Sequence, residues 1–125
     1  PLGDVLKTRV YELAKHLNVM GGDPIPVRSI TKPPSAELKP DQTDQDTLPP
    51  YEQLDAWLEA VVERSQSLED TKNALQKQFG DVTWVDSIVR RVEMNEYKRR
   101  QAAPAFKVSP KAFGIGRRVP IAKSI

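Results

Sequence analysis

The sequence predicts a mainly α-helical protein, and three observations carry that expectation. Apolar residues recur three and four apart in several separate stretches, the spacing of one helical face. Those stretches are flanked by residues that cap or stop helices. No stretch alternates strand with helix in the manner of a parallel sheet. The 125 residues fit one domain or a piece of one.

Taken in order, Asp4 is placed to cap a first helix, because a carboxylate accepts the orphan amide protons of the first turn. Leu6, Val10, Leu13 and Leu17 then mark its apolar face, and Gly21-Gly22 ends it. "IPVRSI" suits a short turn of helix before the polar segment "KPPSAELKPDQTDQD", Lys32 to Asp46. Pro49 and Pro50 fit the start of a second long helix, where no amide donor is needed. Leu54, Leu58 and Val61 give its stripe, with Trp57 and Val62 beside it. Ser67 with Asp70 resembles a capping box for a third helix, whose inward residues are Leu68, Leu75 and Phe79 and whose stop is Gly80. Thr83 with Asp86 repeats that pattern for a fourth, with Val85, Ile88, Val89 and Val92 as its stripe, running on to about Arg100. "VDSIVRRV" is apolar enough for a strand, but its spacing favours helix. After Ala103-Pro104, "KVSPKAFGIGRRVPI" reads as an ordered or semi-ordered basic tail.

Composition narrows the function classes. There is no cysteine, which excludes disulfides, thiolate zinc sites and a cysteine nucleophile in this chain and fits a cytoplasmic protein. No apolar run approaches the roughly 20 residues of a membrane span. Net charge is +2, too slight a bias to argue for nucleic acid. Acids dominate 37 to 70, whereas 90 to 123 is strongly basic. Pro1 to Asp4 reads as the end of a longer chain's loop, so a fragment is expected.

Few side chains suggest chemistry. His16 is the single histidine and reads as a surface or capping residue. Glu52, Asp55, Glu59 and Glu63 read as a solvated acidic helix face. "GIG", Gly114 to Gly116, lacks the strand and helix that a phosphate loop needs. No nucleophile-histidine-acid set can be assembled. Lys7, Lys98 and the pair Arg117-Arg118 stand out as cations beside possible anion sites. On these grounds alone, a small helical interaction module with a basic tail for an acidic partner or nucleic acid is one reading, and a structural dimerisation piece is another.

Three blocks in order alter the balance. "PLGDVLKTRVYELAKHLN", "KPPSAELKPDQTDQDTLPPYEQLD" and "NEYKRRQAAPAFKVSPKAFGIGRRVPI" resemble the glutamine-dependent NAD synthetases, over nearly the whole chain. The resemblance implies the C-terminal helical portion of an α/β adenine-nucleotide-hydrolase-like (ATP pyrophosphatase) synthetase domain. That family converts deamido-NAD to NAD through an adenylate, using ATP, magnesium and ammonia from glutamine. The pyrophosphatase loop SGGxDS and the amidase cysteine are absent here, so the piece is expected to be inactive alone. Its implied partners are ATP, deamido-NAD, the rest of the synthetase core and the glutaminase domain. Nucleic acid and membrane are not among them. Apolar faces left uncovered would favour a homo-oligomer.

The resemblance also implies a segment layout and site residues. It divides the chain into a first helix with a short turn (1–31), a substrate loop (32–48), helices (49–100) and a tail (101–125). Lys7 matches a lysine that helps hold ATP, and Ser35 matches the hydroxyl of P-[ST]-A-[DE]-L, able to donate to a phosphate oxygen. Glu37, in the same motif, and Tyr97 and Lys98 of "YKRR" fall to the deamido-NAD side. The Lys32–Asp46 segment resembles a loop that orders over bound phosphates, and 38 to 47 is expected to be mobile without ligand.

Overall fold

A computed structural model describes residues 2–34, 42–112 and 116–121. Among them are helices and turns but no strand. The helices are α1 (Lys7–Gly21), α2 (Val27–Thr31), α3 (Tyr51–Leu58), α4 (Leu68–Phe79), α5 (Val85–Met94) and α6 (Glu96–Gln101). A 3-10 turn spans Asp44–Asp46, and a π turn, Glu59–Glu63, follows α3 directly. The chain forms two compact units, one of residues 6–55 and the other of residues 1–5 with 56–125.

In the 6–55 unit, α1 starts later than expected. Leu6 has extended backbone angles, and the helix begins at Lys7. Asp4 therefore lies too far back to serve its amides. The carboxylate of Asp55 takes that role: it accepts the Thr8 N–H at 2.7 Å from 47 residues away. Asp55 is accordingly buried, not part of a solvated acidic face. The buried face of α1 is also shifted from the one expected. Lys7, Val10, Tyr11 and Ala14 are half-buried and Asn18 is buried, while Leu13 and Leu17 are 41% and 45% exposed. What the helix packs on within its unit is the returning segment that carries Ile25 and Ile30, and that segment meets the Tyr11–Asn18 side. Gly22, at φ 70°, ends α1 in the left-handed region that glycine tolerates. Asn18 then grips Ile25 from both sides, donating to its carbonyl at 2.8 Å and accepting its N–H at 2.9 Å.

The core sits in the other unit. Trp57, Val62, Leu75, Val82, Val85, Ile88 and Ala112 are its buried apolar residues. Residues five apart on an ideal α-helix point about 140° from each other. The π turn, closed by the Arg64 N–H on the Glu59 carbonyl at 2.9 Å, widens that turn and lets Trp57 and Val62 both face inward. Burying a tryptophan of roughly 200 Å² at about 25 cal/mol/Å² gives at most about 5 kcal/mol, so Trp57 is the largest single apolar contributor to this small core.

Helix α4 is capped as expected: the Ser67 Oγ accepts the Asp70 N–H at 3.1 Å, and Gly80 stops it at φ 85°. Its inward residues are Thr71 and Leu75, with Phe79 half-buried. Leu68, expected to face inward, is 46% exposed. Thr83 does not cap α5. Its N–H and hydroxyl both bond the Asp81 Oδ1, at 2.9 and 2.8 Å, which makes a local turn and holds the Asp81 carboxyl below its ordinary pKa. The helix begins at Val85 instead, and Asp86 pairs with Lys72 at 3.0 Å. Val85 and Ile88 are buried, and Val89 and Val92 are half-buried, as the spacing indicates. The expected run to Arg100 breaks at Asn95, whose ψ of 16° leaves the helical region and separates α5 from α6.

The tail has no helix among its described residues and is held by side chains. Asp4 accepts the N–H groups of Val108 and Ser109 at 2.7 and 2.8 Å and the Ser109 hydroxyl at 2.9 Å. Glu96 accepts the Val119 amide, and Arg100 Nη2 donates to the Val119 carbonyl at 2.7 Å.

Candidate functional site

The first candidate site lies in the 6–55 unit and is built around Lys7. As the first residue of α1, Lys7 shares a face with Tyr11, four residues on. Its Nζ stands 5.6 Å from the Tyr11 ring centroid and 5.8 Å from that of Tyr51, the first residue of α3. Two ring faces attract the ammonium and restrict where it can go. The Tyr51 hydroxyl donates to the Asp44 carboxylate. Burial, that hydrogen bond and the Asp44 charge together push the Tyr51 phenol well above its ordinary pKa, so it stays neutral.

Beside Lys7 opens a cavity of about 310 Å³, with Tyr11, Ile25, Ser29, Lys32 and Pro34 among its walls. Its lining carries two ammonium groups, of Lys7 and Lys32, and two hydroxyls, of Tyr11 and Ser29, among apolar residues. That chemistry suits an anion with an apolar or aromatic body. Pro34 also marks one end of the neck of the polar loop. The Asp44 N–H donates to the Pro34 carbonyl at 3.1 Å, and the Thr43–Asp46 capping box rigidifies the far side. One residue, Asp44, thus joins the loop neck to Tyr51, and Tyr51 to Lys7. Ser35, Glu37, and Leu38 to Asp41 lie outside the described residues, as does Gly114 of "GIG". Within the segment expected to be mobile, 43 to 47 form the 3-10 turn and its caps.

Tyr97 and Lys98 belong to the other unit, on α6. Both are exposed, and the Lys98 Nζ stands 6.0 Å from the centroid of the Tyr97 ring. The residues on either side of them are buried or partly so. Glu96 is 2% exposed and pairs with Arg99 at 2.8 Å and Arg100 at 3.0 Å. Burial acts to raise the Glu96 pKa, but hydrogen bonds from Arg100 and Arg99 and the Arg99 charge outweigh it and hold the carboxyl below its ordinary value. Lys98 is therefore presented outward by a helix anchored through its neighbours. His16 is exposed. Among the described residues no group of three or more His, Asp or Glu converges to hold a metal ion.

Sequence reasoning reached Lys7 but not its setting. The spacing from Lys7 to Tyr11 was a readable signal for the first ring. Tyr51, Asp44 and Lys32 approach Lys7 only through tertiary folding, and no local pattern announces them.

The family model for NAD synthase matches residues 1–102. Among curated proteins, a glutamine-dependent NAD(+) synthetase of Acinetobacter baylyi is 51% identical over 121 residues, which is 96% of this chain and 22% of that protein. One from Synechocystis is 47% identical, over 98% of this chain and 21% of its own length. One from Aquifex aeolicus is 43% identical, over 97% and 20%. The chain thus spans about a fifth of the length of the curated relatives it matches. A solved glutamine-dependent NAD+ synthetase from Acinetobacter baumannii, in complex with ADP, superposes with a TM-score of 0.49 at 36% identity, covering 94% of this chain and 19% of that one.

Proposed function

Because the chain belongs to the NAD synthase family, we propose that it is the C-terminal part of the synthetase domain of a glutamine-dependent NAD synthetase. On this reading the parent domain is the α/β ATP-pyrophosphatase type, with a sheet outside this chain. The overall reaction forms an amide. The nicotinate carboxylate of deamido-NAD attacks the α-phosphorus of ATP, and pyrophosphate leaves. Ammonia released from glutamine then attacks the acyl carbon, and AMP leaves.

The observation that carries the reading for this chain is the ring-flanked ammonium of Lys7 on the wall of a cavity. A cation held on two aromatic faces is positioned before ligand arrives, so less ordering remains when a phosphate binds. Lys7, with Ser35 beyond Pro34, is assigned to the ATP phosphates. Lys98, presented outward on α6 with Tyr97, is assigned to deamido-NAD, and Glu37 is assigned to the same side. A cation at the nicotinate carboxylate would offset its charge and orient it toward the α-phosphorus. Among the described residues no group of three or more histidines or acids converges, and the magnesium ligands are read as lying mostly outside this chain. The exposed apolar residues of α1, Leu13, Leu17 and Met20, are read as covered by the remainder of the synthetase or by a second copy. A cytoplasmic setting goes with this reaction.

The test is kinetic and uses the intact enzyme that carries this chain. Losing a charge-assisted contact costs about 1.5–3 kcal/mol, or roughly 10- to 150-fold at 1.4 kcal/mol per decade. Lys7→Ala should lower kcat/KM for ATP by that factor and affect deamido-NAD less. An unchanged ATP dependence in a folded variant would remove Lys7 from the site.

A further inference from the structure

A second cavity, of about 490 Å³, lies wholly within the unit of residues 1–5 and 56–125. Arg99 and Arg100 reach it from α6, and Lys107 and Arg118 from the tail; Asp4 is the one acid on its walls. Lys7 is not part of it, and neither is Lys98. We propose that this cavity is a binding site for a phosphate-bearing anion. The proposal goes beyond the synthetase reading and does not rest on it.

The charge balance comes first. Four basic residues line one cavity. Arg99 and Arg100 share the single carboxylate of Glu96. Asp4 supplies one more negative charge, and its carboxylate spends its hydrogen bonds on Val108 and Ser109. Lys107 and Arg118 form no ion pair among the described residues. Among the described residues that line the cavity or pair there, positive charges exceed negative ones by two, the charge of a phosphate dianion. Guanidinium groups present paired N–H donors to phosphate oxygens, an arrangement that a lone ammonium cannot provide.

The walls are also built in advance. Glu96 fixes both guanidinium groups of α6, and Arg99 is only 12% exposed. Arg100 grips the Val119 carbonyl, which brings the chain beside Arg118 back to α6. Gly116 donates its N–H to the Ala112 carbonyl at 2.8 Å, and a Cβ at Gly116 would stand 2.7 Å from that same oxygen. The close approach therefore requires glycine. The remaining lining is four alanines, two glycines and a proline, small residues that leave room between the charged groups.

The test reads the site locally in the intact enzyme, by hydrogen exchange of peptides covering 99–107 and 116–121. Inorganic phosphate should slow exchange in both, whereas chloride at matched ionic strength should not. In Lys107→Ala/Arg118→Ala, the phosphate concentration needed for half protection should rise at least tenfold. Both positions are exposed, and surface changes of this kind rarely unfold a protein. Lys107→Arg/Arg118→Lys should restore protection, which a purely structural loss would not predict. Lys7→Ala should leave protection of these peptides unchanged, so a failure of the ATP-site assignment is separable from a failure here. AMP protecting at a tenfold lower concentration than phosphate would assign the site to a nucleotide, and equal concentrations would assign it to free phosphate. Protection by chloride alone, no protection by either ligand, or protection retained in the double alanine variant would overturn the proposal.

Discussion

Replacing Glu96 by Gln keeps the shape of the side chain and removes one buried charge. Glu96 is 2% exposed and faces Arg99 at 12% and Arg100 at 44% side-chain exposure. Breaking a buried pair by removing one partner costs about 3–5 kcal/mol, because the other charge is left without compensation. Arg100 can turn to water, so the lower end, about 3 kcal/mol, is the expected cost. At 1.4 kcal/mol per decade, that is roughly a 100-fold increase in local opening. The assay is native-state hydrogen exchange of peptides covering 96–101 and 116–121 in the intact protein, which reports local opening without requiring global two-state unfolding. Asp86→Asn is the internal standard. Its pair with Lys72 is 79% and 40% exposed, and such surface pairs contribute roughly 0.5 kcal/mol, or about twofold in opening. If Glu96→Gln leaves both peptides within about threefold of wild type, Glu96 does not hold the tail, and the reasoning fails.

Further outcomes follow from the same geometry. The Glu96 carboxyl is held below its ordinary pKa, so its stabilisation is fully present above the usual carboxylate range and is lost as pH falls through the lowered folded-state value. Protection factors for 116–121 should then be flat near neutrality and drop only in acid, and a drop on the alkaline side would contradict this. Asp55→Ala should fray the start of α1 by about 1–2 kcal/mol, read as faster exchange at Thr8 with little change in α4. On the proposed function, Lys98→Ala should lower kcat/KM for deamido-NAD by roughly 10- to 150-fold, with only partial rescue by Arg, and Arg90→Ala should be near neutral. The purified 125-residue chain, given ATP, ammonia and deamido-NAD, should form no NAD, and any ATP-dependent formation would refute its status as an incomplete site.

Helix existence was readable because it depends on spacing and local chemistry. Ser67 and Asp70, Gly22 and Gly80 mark their boundaries through contacts at most a few residues away, and the structure places them accordingly. Facing was harder. Leu13 and Leu17 have the right period, but which side of α1 is covered depends on the returning segment that Asn18 holds at Ile25. Asp55 shows the limit most clearly. Its neighbours Glu52 and Glu59 suggest a solvated acidic row, and nothing near it in sequence reveals that its partner is the Thr8 amide. The rings that set Lys7 in place divide in the same way: Tyr11 lies four residues on and was legible, whereas Tyr51 arrives by folding.

The side-chain grips on irregular backbone have a consequence for which substitutions the chain tolerates. Asn18, Asp4 and the Glu96–Arg100 pair recognise peptide groups at Ile25, Val108 and Val119, not the side chains there. For the grip itself the side chain of the held residue matters little, provided that the residue has an N–H to offer. Across natural variants all three positions should exclude proline while the gripping residues stay fixed, and Val108, which is exposed, should drift freely in size and polarity. Most of the information that shapes the irregular segments would thus be written at positions distant from them in the chain.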